Sequence, residues 1–200
     1  MRLDQAKKDL YRRLAKEQGY KSRAAFKLIE ANEKYDFIRG GDKVVDFGSA
    51  PGGWMQVAAR LVGEAGFVVG IDIHPVKLKE RNVASLEMDV EDPAVAQKVL
   101  GLLGGRADVV LSDLAQSVSG VWELDNSRQA DLTLRVLELS DAVLVRGGDA
   151  FLKVFEGERT PEVRAALKGT FKSVRPVKPA ASRSASSELY YYCIGWSGLG

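Results

Sequence analysis

Short apolar runs rich in β-branched residues, each ending in turn residues, alternate along the chain with longer segments whose apolar positions recur every three to four residues. This alternation predicts strands separated by helices, hence an α/β fold on a mostly parallel sheet with helices on both faces. Strand character is found at 43–47 (KVVDF), 67–72 (FVVGID), 83–88 (VASLEM), 107–112 (ADVVLS), 149–155 (DAFLKVF), 171–177 (FKSVRPV) and 188–195 (ELYYYCIG). Between these runs the spacing predicts helices over 54–62, 92–103, 127–146 and 160–168. In the third, Leu132, Val136, Leu139 and Val143 repeat at helical spacing, and Gly147-Gly148 is expected to stop it in left-handed backbone. Thr160-Pro161 should open the last as N-cap and first helical residue. Two basic amphipathic segments, near 2–18 and 22–34, precede the first strand, with Ser22 the expected cap of the second, and 179–187 (PAASRSASS) is expected to be a loop.

At 200 residues the chain suits one sizeable core, so a single domain over 1–200 is expected, with the basic helical segment 1–35 packed on it. No apolar run reaches the roughly 18–20 residues of a membrane span, and the N-terminus lacks the apolar stretch of a secretory signal, so a cytoplasmic, monomeric protein away from membranes is expected. With Cys193 as its only cysteine, the sequence cannot form an internal disulfide, a zinc cluster or a CxxC redox pair, and no metal is expected. The net charge of +2 conceals a partition. Residues 1–27 carry nine Lys/Arg against three acids, residues 28–167 carry fifteen against twenty-three, and residues 168–183 carry five against none. Basic ends suit a polyanion, while an acidic body can hold a cationic ligand; a merely solvated surface is the plain alternative.

The sharpest local signal is Asp46-Phe47-Gly48-Ser49-Ala50-Pro51-Gly52-Gly53-Trp54, between the first strand and the helix that follows it. Glycines there let the backbone turn tightly and approach a ligand closely, as in nucleotide-binding folds. A phosphate-binding P-loop would need Lys-Ser/Thr after its last glycine, where this chain has Trp54-Met55, and the spacing from Gly48 to Gly52 breaks GxGxxG. The strand ends carry acids instead: Asp46 on the first, Asp72 on the second and Asp89 after the third. S-adenosylmethionine fits this set, because Asp72 stands where a ribose diol is held, acids favour a sulfonium cation, and the molecule has no phosphate to demand a lysine. The alternatives remain that the loop is only a turn and that Trp54 is only core; His74 is expected to be an exposed loop residue.

Lys21-Ser22-Arg23-Ala24-Ala25-Phe26-Lys27-Leu28, the Val45–Trp54 loop, Ser112-Asp113-Leu114-Ala115, Ser119-Gly120, Lys153-Val154-Phe155 and Ser187-Glu188-Leu189-Tyr190, in that order, resemble the FtsJ/RrmJ 2′-O-methyltransferases over about residues 20–195. The resemblance implies a Rossmann-like, seven-stranded sheet whose last strand is antiparallel, with S-adenosyl-L-methionine as methyl donor. It implies a catalytic set of Lys27, Asp113, Lys153 and Glu188, and cofactor contacts from Gly52, Trp54, Asp72, Asp89 and Asp113. It also implies a uridine ribose of large-subunit ribosomal RNA, or the ribosomal subunit, as acceptor. The chain departs from the family at Gln116-Ser117, where Pro-Asn is common, and at Ser187, where an arginine often precedes the glutamate.

Within that resemblance, Lys153 in an otherwise apolar strand is the candidate base for a ribose hydroxyl, which needs in-line placement and a proton acceptor. An ordinary lysine, with a pKa of about 10.4, is protonated at neutral pH. Burial or a neighbouring Lys27 favours the neutral amine, whereas Asp113 and Glu188 favour the ammonium. Lys153 is therefore either a neutral base oriented by Asp113, the assignment preferred at this point, or a cation that positions the hydroxyl. Competing functions are a transfer-RNA 2′-O-methyltransferase and a non-catalytic RNA-binding module of the same fold. A base-nitrogen or protein methyltransferase would be expected to carry Asn/Asp-Pro-Pro-Tyr/Phe after the fourth strand, where Ser112-Asp113-Leu114-Ala115 stands.

Overall fold

A computed structural model describes residues 2–115, 120–182 and 186–199, with residues 2–8 as backbone only. Their elements are α1 (Arg2–Glu17), α2 (Ala25–Tyr35), β1 (Lys43–Phe47), α3 (Gly53–Val62), β2 (Phe67–Asp72), β3 (Val83–Glu87), α4 (Val95–Leu103), β4 (Ala107–Ser112), α5 (Trp122–Val143), β5 (Leu144–Phe155), α6 (Thr160–Thr170), β6 (Phe171–Val177) and β7 (Glu188–Trp196). The strands form one seven-stranded sheet in the order β3-β2-β1-β4-β5-β7-β6. The β1–β2, β1–β4, β2–β3 and β4–β5 pairs are parallel, and β7 is antiparallel to both its neighbours, β5 and β6. The fold is thus the mostly parallel Rossmann-like sheet expected, with only β7 reversed.

Strand alternation sends successive side chains to opposite faces. Val45, Phe47, Val110, Leu152 and Tyr191 join α4, α5 and α6 in one apolar core. Val44, Leu111, Phe151, Tyr190 and Tyr192 join α2 and α3 in the other. The same parity puts Asp46, Asp113, Lys153 and Glu188 on the α2–α3 side at the carboxyl edge, where α/β sheets bind ligands.

Several boundaries differ from those the pattern predicts. α5 begins at Trp122 rather than 127, because Asn126 anchors its first turns by donating through Nδ2 to the Phe155 and Glu156 carbonyls at 3.4 and 3.1 Å. It ends at Val143, and Gly147-Gly148 does not cap it: Leu144 already pairs with Ala107, so the glycines lie within β5. A side chain at Gly148 would meet the Asp108 carbonyl at 2.8 Å, which explains glycine there without a helix stop. Thr160 is the first residue of α6, not its cap, and its Oγ1 instead accepts the Gly157 amide at 2.8 Å. Ser22 lies in the turn before α2, whose cap position is Ala24. α4 starts at Val95 because the Asp92 carboxylate accepts the Ala94 amide at 2.8 Å and holds a turn.

Candidate active site

The loop after β1 is built by glycines that no other residue could replace cheaply. Gly48 has φ 79°, and a side chain there would stand 2.7 Å from the Leu114 amide. Gly52, at φ 110°, is the cap position of α3 and backs onto Val76 and Leu78. Gly53 leaves no room for a side chain beside the Ser22 hydroxyl. The Gly48 and Ser49 amides both donate to the Ile71 carbonyl, at 2.8 and 3.2 Å. Asp72 Oδ2 accepts the Ala50 amide at 2.9 Å, and Oδ1 accepts the His74 amide at 2.9 Å.

Two cavities open on either side of this loop and share Gly48, Ala50 and Asp113. One, of about 360 Å³, is lined by Asp72, Met88, Asp89, Val90, Leu114 and Leu132 among others. The other, of about 260 Å³, is lined by Ser22, Arg23, Lys27, Ser49 and Trp54. Asp113 thus stands at their junction. Trp54 is only 3% exposed, packs on Phe151 and Tyr190 and donates through Nε1 to the Ala24 carbonyl at 2.8 Å. It reaches the smaller cavity and Gly52 lines neither, whereas Asp72 and Asp89 face the larger one. His74 is exposed at the rim of the larger cavity.

Four charged side chains converge around Asp113, which follows β4: Lys27 also lines the smaller cavity, while Lys153 and Glu188 line neither cavity and reach the site through their partners. Lys153 Nζ lies 2.6 Å from Asp113 Oδ1 and donates to the Asp113 carbonyl at 2.9 Å. Lys27 Nζ donates to Glu188 Oε1 at 2.6 Å, and Glu188 Oε2 lies 4.0 Å from Lys153 Nζ. Tyr190 joins the two pairs: its hydroxyl accepts from Lys27 Nζ at 2.9 Å and donates to Asp113 Oδ1 at 2.7 Å. β5–β7 register explains the closeness, since Lys153 pairs with Tyr190 and Phe155 with Glu188. The lysine side chains are 6% and 7% exposed and their carboxylate partners 14% and 18%, so each charge is largely removed from water and depends on its partner.

The electrostatics separate the acids. Burial alone would raise the Asp113 carboxyl, but the Lys153 and Lys27 cations outweigh it and hold the group below the usual carboxylate range. Burial, reinforced by the Asp113 and Glu188 carboxylates, pushes the Tyr190 phenol well up, so it remains a proton donor. Asp46 is fully buried, and neither of its oxygens has a hydrogen-bond partner among the described residues. Burial and then the nearby Asp113 and Asp72 push its carboxyl well above the ordinary value. An unpaired buried carboxylate beside a glycine loop fits a ligand that brings a cationic group.

A profile of FtsJ-like methyltransferases matches residues 20–196, a span that holds the glycine loop and all four converging charges. The chain belongs to the FtsJ-like methyltransferase family. The Cenarchaeum symbiosum protein named ribosomal RNA large subunit methyltransferase E is 45% identical to it over 198 residues, 99% of this chain and 100% of that protein. The Methanothermobacter thermautotrophicus protein of the same name is 44% identical over 185 residues, 92% of this chain and 88% of that one. The crystal structure of a Plasmodium falciparum protein described as a ribosomal RNA methyltransferase superposes with a TM-score of 0.80 at 29% identity, covering 90% of this chain and all of that one. Aeropyrum pernix fibrillarin, whose crystal structure holds natively bound S-adenosyl-L-methionine, shares the fold at a TM-score of 0.64 and 17% identity, over 88% of this chain and 75% of that one.

In this FtsJ-like enzyme the structure brings together Lys27, Asp113, Lys153 and Glu188, as the motifs suggested. The Tyr190 hydroxyl was given no role by sequence, although its place two residues after Glu188 on one strand puts it on the same face. Gln116, Ser117 and Ser119 lie outside the described residues. Among those residues no helix is long and apolar enough to cross a membrane.

Proposed function

We propose that the protein uses S-adenosyl-L-methionine to methylate a ribose 2′-hydroxyl, most specifically a uridine of large-subunit ribosomal RNA, in the cytoplasm and as a single domain over 1–200. The observation that carries this reading is the pairing of Lys153 with Asp113, which lines both cavities, and of Lys27, which lines the smaller one, with Glu188. The large-subunit acceptor is supported by the names of relatives 44–45% identical over most of this chain.

The donor supplies a methyl group on a cationic sulfur, which a hydroxyl oxygen can displace in line. Asp72 and Asp89 would hold its adenosine end, and Asp46 with the Gly48 backbone its methionine end. The stranded Asp46 carboxylate supports this fit, because a cation there lowers the cost of burying it.

The chain's own groups do the rest. Lys27, oriented by Glu188, holds the acceptor ribose at the smaller cavity, which Arg23 also lines. Lys153 spends two N–H groups on Asp113 and is left with one tetrahedral position. In the ammonium that position is a third donor, and in the amine it is a lone pair that accepts the hydroxyl proton. Transfer proceeds from the amine, which Asp113 keeps aimed. Replacement of Lys153 by alanine should abolish methyl transfer while cofactor affinity, measured by calorimetry, changes less than about threefold. Wild-type turnover in that variant would remove Lys153 from the chemistry.

A further inference from the structure

β7 divides the carboxyl edge of the sheet. Glu188 and Tyr190 face the cluster just described, while the residues alternating with them, Leu189 and Tyr191, floor a groove of about 720 Å³ on the opposite face. Its walls include Arg164 and Lys168, one turn apart on α6, and Pro176 of β6. Both cations are exposed, and neither forms an ion pair among the described residues. Arg159, on the same helix's lead-in, is by contrast held by Asp131 and Glu162. From Val163 to Ser187 the sequence contains no Asp or Glu. One acid, Glu156, lines the groove, and its amide donates to the Ser187 carbonyl at 2.9 Å, next to Glu188 of the cluster.

We propose that this groove is a second RNA-contact site, which takes the sugar-phosphate backbone of the strand leaving the acceptor cavity. The inference rests on RNA being the acceptor. Uncompensated, exposed cations on a concave surface attract phosphates without regard to base sequence. Tyr190 and Tyr191 are chain neighbours on opposite faces, so an RNA strand that crosses the sheet edge at Phe155 and Glu188 passes from one site to the other. Among the described residues no exposed large apolar side chain lines the groove, so it lacks the anchor that a protein partner would need.

The test compares wild type with the Arg164→Ala/Lys168→Ala double variant on protein-free large-subunit ribosomal RNA and on intact large subunits. Expected on both are a roughly fivefold or larger rise in KM, unchanged kcat at saturating RNA and unchanged cofactor affinity. The slope of log affinity against log salt should be shallower by about 1 to 2. The charge-keeping Arg164→Lys/Lys168→Arg variant should retain the wild-type slope. A double variant with wild-type KM and salt slope overturns the groove while leaving the 2′-O-methylation reading intact. A defect confined to intact subunits overturns it in favour of a ribosomal protein as occupant. A wild type that methylates neither RNA overturns both.

Discussion

Lys27 and Lys153 can be buried because each meets a carboxylate at 2.6 Å, and Tyr190 ties the pairs into one network. Tyr190→Phe keeps the ring stacked on Phe151 but deletes the hydroxyl between Lys27 and Asp113. A hydrogen bond to charged groups is worth roughly 1.5–3 kcal/mol, so the melting temperature should fall by several degrees and kcat/KM, measured where the variant is folded, at least about tenfold. Unchanged activity would make the hydroxyl incidental. The two buried aspartates should respond to pH with opposite signs. Asp113 is held below its ordinary value of 3.8, so its stabilisation is present above that pH and lost as pH falls through the lower folded value. Asp46 is raised above 3.8, so the wild type loses stability as pH rises from that point. In urea titrations without cofactor, Asp46→Asn should therefore gain about 1–3 kcal/mol over wild type at pH 7, and the gain should vanish toward pH 4. A gain independent of pH would contradict an uncompensated Asp46 carboxylate. The acids and lysines were legible as residue types in motifs, but not the orphaned state of Asp46 or the reach of Tyr190, which depend on what the fold leaves unpaired.

At the scale of elements, the loop between β1 and α3 is what holds the two cavities against each other. Gly48→Ala imposes both a left-handed φ on a residue with a Cβ and a 2.7 Å approach to the Leu114 backbone. We expect a loss of roughly 2 kcal/mol or more and a matching loss of cofactor affinity, measured by denaturation and calorimetry. Wild-type stability would show that the loop can open at no cost. The strands themselves were readable from the sequence, but it is their register in the sheet that puts Asp113, Lys153 and Glu188 on one face. The ends of α5 were not readable. A Gly-Gly pair after a helical repeat looks the same whether it stops a helix or bends a strand, and only the long-range pairing of Leu144 with Ala107 makes it part of β5. The start of α5 likewise depends on Asn126 reaching carbonyls 29 and 30 residues away.

At the scale of the molecule, charge is sorted around the site. A cleft of about 500 Å³ lined by Arg12, Lys16, Tyr20, Lys21, Ser22 and Arg23 adjoins the acceptor cavity, sharing Ser22 and Arg23 with it. Neutralising Arg12, Lys21 and Arg23 should weaken RNA binding and flatten its salt dependence. Arg13 sits outside the cleft and 3.6 Å from Glu17, so its replacement should change the slope little. A slope unmoved by the triple variant would take the N-terminal helices out of RNA docking. The partition of charge was legible from composition, but which cations border the site required the packing of α1 and α2. The most direct test of the whole account is transfer of labelled methyl groups to large ribosomal subunits and to transfer RNA from a strain lacking the protein, followed by mapping of the modified nucleotide. The account predicts one 2′-O-methylated uridine in large-subunit RNA, absent with Lys153→Ala. Label on a base, on transfer RNA alone, or undiminished in that variant would contradict it.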